Sequence, residues 1–134
     1  MENRHIDHIG IAVHDLESAI ETYERTLQTS CYKREMVEAQ HVETAFFKTG
    51  QTKIELLGPT SDGSVIAKYV AKKGEGLHHI AYEVENIHTE LERLRDEGYR
   101  LLNETPTDGA DNKLIAFIHP KDNNGVLMEI CQNK

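Results

Sequence analysis

Four side chains able to hold a metal ion recur as two pairs along this 134-residue chain. His8 stands in "IDHIGIAV" and His79 in "LHHIAYEV", 71 positions apart, while Glu55 in "IELLGP" and Glu129 in "MEICQ" stand 74 apart. Each glutamate interrupts an apolar run, where a carboxylate is costly to bury without a partner. A lone histidine in a strand is ordinarily a hydrogen-bonded core or edge residue, and a lone strand glutamate ordinarily faces water. The repetition of both together is what points to metal. Two imidazoles and two carboxylates make a coherent octahedral or square-pyramidal site for one divalent ion, with water completing the shell. That donor set suits zinc, iron, cobalt, nickel or manganese, and not calcium.

The elements that must position these groups repeat as well. Shifting the chain by 71 lays Asp7-His8-Ile9 on His78-His79-Ile80 and Asp15-Leu16 on Asn86-Ile87. Alternation puts His8, Gly10 and Ala12 on one face of a first strand and Ile9, Ile11 and Val13 on the other; His79 and Ala81 share a face in the repeat. Asp15 and Asn86 are good N-cap residues, so a helix begins at the same offset in both halves. One helix carries the stripe Leu16, Ala19, Ile20, Tyr23 and Leu27; the other carries Ile87, Leu91 and Leu94 and ends near Gly98. Extended segments follow, "VETAFFKT" and "TKIELLGP" in the first half, "YRLLNE", "LIAFIHP" and "GVLMEICQ" in the second. Each half therefore reads β-α-β-β-β, and a three-residue insertion in the second half accounts for the change of offset from 71 to 74. The spacing predicts a first module over 1–60, a helical linker over 61–74 with Val65, Ile66, Tyr69 and Val70 on one face, and a second module over 75–134.

Composition bounds the function. The formal charge of −8 and a sequence pI near 5.4 argue against nucleic-acid binding. An anionic small molecule stays compatible, because local lysines outweigh a global charge within a Debye length of about 8 Å; Lys113 and Lys121 are the candidates. No apolar run is long enough to cross a bilayer, and the chain enters its first strand pattern without a hydrophobic leader, so a cytoplasmic location is expected. Cys31 and Cys131 lack paired spacing and read as reduced structural residues. There is no glycine-rich phosphate fingerprint, and the "GEG" at 74–76 reads as a loop. His78, next to His79, must point to the opposite face and reads as packing.

The stretches "DHIGIAV", "TKIELLGP", "GEGLHHIAYEVENI" and "AFIHPKDNNGVLMEI" resemble the vicinal oxygen chelate superfamily over almost the whole chain, and within it the methylmalonyl-CoA epimerases. The resemblance implies an α+β fold of two tandem βαβββ modules forming a U-shaped mixed sheet around one metal site. It places the metal on His8, Glu55, His79 and Glu129, with Glu55 the position at which some epimerases carry Gln. Some epimerases place a glutamate base on the strand that here reads "HVETAFF", where the matching register holds Thr44; Glu43 is next door and faces away in an unbulged strand. Glu129 is therefore the leading proton-transfer candidate and Glu43 the weaker one, with Lys121, Lys113 and Thr44 assigned to substrate binding.

The activity implied is interconversion of (2R)- and (2S)-methylmalonyl-CoA by proton removal next to the thioester, dependent on one divalent ion such as cobalt, zinc, nickel or manganese. Superfamily members commonly dimerise, so a homodimer acting on a small acyl-CoA is expected, with no nucleic acid and no membrane as partner. Two alternatives share the fold: glyoxalase I acting on a glutathione hemithioacetal, and a protein that sequesters a ligand without turnover.

Overall fold

A computed structural model describes residues 4–134. Its strands are β1 (Ile6–Ala12), β2 (Lys33–Val37), β3 (Val42–Thr49), β4 (Thr52–Pro59), β5 (Gly76–Glu83), β6 (Thr107–Gly109), β7 (Lys113–Ile118) and β8 (Met128–Asn133). Three helices accompany them: α1 (Leu16–Leu27), α2 (Val65–Lys73) and α3 (Ile87–Asp96). In chain order this is βαβββ, a helical connection and βαβββ again, the α+β class expected. The described residues form two compact units, one of Ile9–His78 and one in which the stretch ending at His8 joins His79–Lys134. Among the described residues, no helix is long and apolar enough to cross a membrane.

In the unit Ile9–His78 the strands lie in the order β2-β3-β4-β1. β3 and β4 pair antiparallel from Val42↔Pro59 to Thr49↔Thr52, closed at Gly50, whose positive φ of 65° suits glycine. Helix α1 starts at Asp15, whose side chain accepts from Ser18 N. Its stripe of Leu16, Ala19, Ile20, Tyr23 and Leu27 packs on Val13, Ala45, Phe47 and Leu56. Helix α2 is capped by the buried Ser64 and packs Ile66, Tyr69 and Val70 on Ala12, Val42 and Leu57. Val65, expected on that face, is 62% exposed instead. It is the first helical residue, at the exposed start of the helix.

In the other unit the order is β5-β8-β7-β6, with β5 and β8 parallel and the remaining pairs antiparallel. Asn86 accepts from Thr89 N to cap α3, and Gln132 Oε1 accepts from Ile87 N, tying the helix start to β8. Ile87, Leu91 and Leu94 are buried against Val84, Ala116, Ile118 and Ile130. Each such side chain contributes about 1.5–3 kcal/mol by leaving water.

Two strands depart from the sequence reading. "YRLLNE" forms no strand: Leu102 N and Arg100 O bond to β7 and its flank, but only one bridge, Leu101↔Ile118, is made. Pro106 removes a donor just beyond, and pairing resumes only at β6. The strand of the first half that no apolar pattern announces is β2, an edge strand on β3 with alternating exposure and no continuous apolar run.

Gly58 on β4 marks the close approach of α1, since a Cβ there would lie 2.7 Å from Leu16 Cβ. Gly58→Ala is expected to destabilise the protein by about 1–3 kcal/mol, read as a lower urea midpoint at unchanged slope. An unchanged midpoint would mean that α1 shifts without cost.

Candidate metal centre

Three strands of one unit bring His8, His79 and Glu129 together. His79 leads into Ala81 on β5, and Ala81 stands opposite Glu129 on the parallel β8, where its small side chain leaves room for the carboxylate. On its other flank Glu129 faces Phe117 of β7, whose ring meets the His79 ring edge-on at 5.7 Å. His8 Nε2 lies 3.1 Å from His79 Nε2, and the two rings are perpendicular. Glu129 completes the group with Oε1 3.3 Å from His79 Nε2 and Oε2 3.5 Å from His8 Nε2. All three residues are at most 6% exposed.

His8 is oriented from behind. Its Nδ1 is 2.7 Å from Asp7 Oδ2, and Asp7 Oδ1 is 3.4 Å from Lys113 Nζ, which also donates to Asn133 Oδ1. With Nδ1 carrying the proton toward Asp7, Nε2 presents a lone pair. Two imidazole nitrogens and two carboxylate oxygens then converge on one point in a buried space.

This arrangement fits a divalent cation. Glu129 Oε2 is buried with no hydrogen-bond partner, a cost of about 1–3 kcal/mol or more when nothing compensates it. Asp7 and Glu129 are both buried in this unit, and the Lys113 ammonium is paired with Asp7, so a further positive charge at Glu129 would complete the balance. The mixed nitrogen and oxygen donor set suits the borderline first-row metals. Asp7, His8 and Cys131 also lie close enough to form a three-ligand group. There, however, His8 Nδ1 is already engaged by Asp7, and burial, reinforced by the Asp7 and Glu129 carboxylates, pushes the Cys131 thiol pKa well up. Cys131 Sγ donates instead to Tyr82 O, a structural role.

The remaining predicted residues lie as follows. Glu55, on β4 in the unit Ile9–His78, is 4% exposed and shares a face with Thr44 and Phe46, turned away from α1. Thr44 is 2% exposed. Glu43 lies on the α1 side of an unbulged β3, where Arg34 Nε binds it at 2.7 Å and Arg34 Nη2 also reaches Glu17 on α1. These carboxylates, Glu43 foremost, raise the Arg34 pKa above its ordinary value. Lys113, expected to meet substrate, is 4% exposed and held by Asp7 and Asn133. Lys121 is exposed in a 3-10 turn over Pro120–Asn123, its backbone N donating to His119 Nδ1. That turn is pinned by Asp122, which Arg100 holds by hydrogen bonds that pull the carboxyl pKa down to about 2. His78 packs edge-on against Tyr69 at 4.7 Å, and burial, then Lys73, lowers its pKa.

The sequence reading gave Asp7 no role. Only the structure shows that Asp7 and His8 are successive buried residues that break the alternation of β1.

Comparison with known proteins defines the class. Residues 7–117 match the glyoxalase/bleomycin resistance protein/dioxygenase superfamily, and the chain belongs to it. An uncharacterized protein of Bacillus subtilis, YqjC, is 42% identical over 96% of this chain and 92% of its own length. An ethylmalonyl-CoA/methylmalonyl-CoA epimerase of Cereibacter sphaeroides is 41% identical, covering 95% of this chain and 96% of that protein. A solved methylmalonyl-CoA epimerase in complex with methylmalonyl-CoA and NH4+ superposes with a TM-score of 0.88 at 38% identity, covering 96% of this chain and 93% of that one. These homologues support an isomerase; the glyoxalase I alternative draws no support from them.

Replacing His79 by Ala removes one of the three converging ligands without touching a helix-packed core. It is expected to lower divalent-metal occupancy severely while leaving the circular dichroism of the fold unchanged. Full occupancy by elemental analysis would remove His79 from the centre.

Proposed function

We propose that this chain is a metal-dependent epimerase that interconverts (2R)- and (2S)-methylmalonyl-CoA by removing and returning the proton on Cα. The observation that carries the reading is the buried convergence of Glu129, with one oxygen lacking a hydrogen bond, on His8 and His79. Support for the substrate comes from the epimerase names of similar relatives and from the solved complex with methylmalonyl-CoA.

His8, His79 and Glu129 would hold the ion, with Glu55 as fourth ligand on the strength of its sequence equivalence to Glu129. A divalent cation there supplies Lewis-acid stabilisation of the negative charge that develops on the thioester oxygen. The chain's own groups do the rest. Glu129 offers a carboxylate oxygen to the Cα proton, and return of a proton to the other face of the enolate inverts the centre. The apolar surroundings of Phe117 and Ala81 keep bulk water from competing for that proton. Thr44 and Lys121 bind substrate, Lys121 through its exposed ammonium. Glu43, held by Arg34, has no part in this scheme.

General-base help of this kind is worth about 10²- to 10⁴-fold. Glu129→Gln keeps an oxygen donor but cannot take a proton, so it should retain metal and lose epimerisation by about that factor. In deuterium oxide the metal-loaded wild type should wash deuterium into Cα of methylmalonyl-CoA, read by mass spectrometry. Absence of label, with turnover of the methylglyoxal–glutathione adduct instead, would transfer the reading to glyoxalase chemistry. Absence of both would leave a sequestering protein.

A further inference from the structure

Lys113 and Asp7 are buried, oppositely charged, and assigned nothing by the reaction just described beyond their neighbourhood. Lys113 opens β7, pairs across the ladder with Asn133 on β8, and donates to the Asn133 side chain. Asn133 is itself anchored, its Nδ2 donating to Glu83 Oε1 at 3.1 Å. From this fixed point the Lys113 ammonium stands 3.4 Å from Asp7 Oδ1, and the other Asp7 oxygen takes His8 Nδ1. Asn133, Lys113, Asp7 and His8 thus form one continuous polar line that ends where the His8 Nε2 meets His79 and Glu129.

We propose that Asp7 and Lys113 are positioning residues for the metal centre, Asp7 fixing the orientation and tautomer of His8 and Lys113 fixing Asp7. The inference rests on the metal reading above and adds two residues to it. The need is physical. An imidazole can place its proton on either nitrogen, and only the Nδ1–H form leaves Nε2 able to coordinate. A carboxylate hydrogen-bonded to the distal nitrogen selects that form and raises the basicity of the ligating one. A buried carboxylate would be costly without its own cation, and Lys113 supplies it. The two halves of the chain differ here: the position equivalent to Asp7 is His78, which packs on Tyr69, so the residue before the histidine is a carboxylate in the first half and an imidazole in the second.

The test begins with metal affinity, measured by competition with a chromophoric chelator using zinc. Asp7→Ala should weaken binding about 10- to 100-fold. Asp7→Asn, which keeps an oxygen acceptor toward Nδ1–H, should recover part of that loss. Lys113→Met, which preserves the buried stem, should weaken binding by less than Asp7→Ala. Equal affinity of wild type and Asp7→Ala would overturn the inference while leaving the metal centre standing. Failure of the wild type to bind zinc would overturn both. Because the variants can also fail to fold, the wild type is examined directly: long-range proton–nitrogen NMR of the zinc-loaded protein should show His8 protonated at Nδ1. Protonation at Nε2, or a His8 that exchanges between tautomers, would contradict the proposal.

Discussion

The registers of β5, β7 and β8 depend on one buried carboxylate, Glu129, whose burial a cation would compensate. Glu129 sits near the start of β8, 3% exposed, with two imidazole nitrogens against it and one oxygen without a hydrogen bond. Such a group constrains its neighbours. The parallel register Ala81↔Glu129 and the antiparallel register Phe117↔Glu129 must both hold, because a slip of one residue in either ladder turns the carboxylate to the opposite face. The helix-packed core of Ile87, Leu91 and Leu94 against Ile130 and Ile118 supplies the rigidity that prevents the slip. Packing energy on one face of the sheet thereby holds chemistry on the other.

The duplicated plan explains how a short chain builds such a centre. Each half supplies a strand with one histidine, followed by a helix whose cap lies at the same offset, Asp15 in one and Asn86 in the other. Symmetry ends at the residue before each histidine. Asp7 turns back to its neighbouring His8, whereas His78 turns to the aromatic ring of Tyr69. Duplication thus sets the scaffold, and single substitutions at matched positions differentiate the two sides of the site.

Much of this was legible in the chain. Both outer helices, their caps and their buried stripes follow from apolar spacing and short polar caps, which are local signals, and so do β3 and β4. What escaped the reading depended on partners distant in sequence. Strand β2 has no apolar run and exists because β3 offers it a ladder. "YRLLNE" has strand composition, but Pro106 limits its pairing to one bridge. Lys113 looks like a surface cation from its residue type, and only the fold buries it between Asp7 and Asn133. His8, His79 and Glu129 interrupt apolar strands and the fold brings these three together; Asp7 carried no such signal, because its matched position holds His78.

In the proposed centre one divalent ion is held by imidazole nitrogen and carboxylate oxygen from His8, His79 and Glu129. X-ray absorption of the zinc-loaded protein measures this directly. A single zinc per chain with only nitrogen and oxygen scatterers at about 2.0–2.2 Å is the predicted result. A sulfur scatterer at about 2.3 Å would place the ion on the Cys131 side with Asp7 and His8, and would contradict the account.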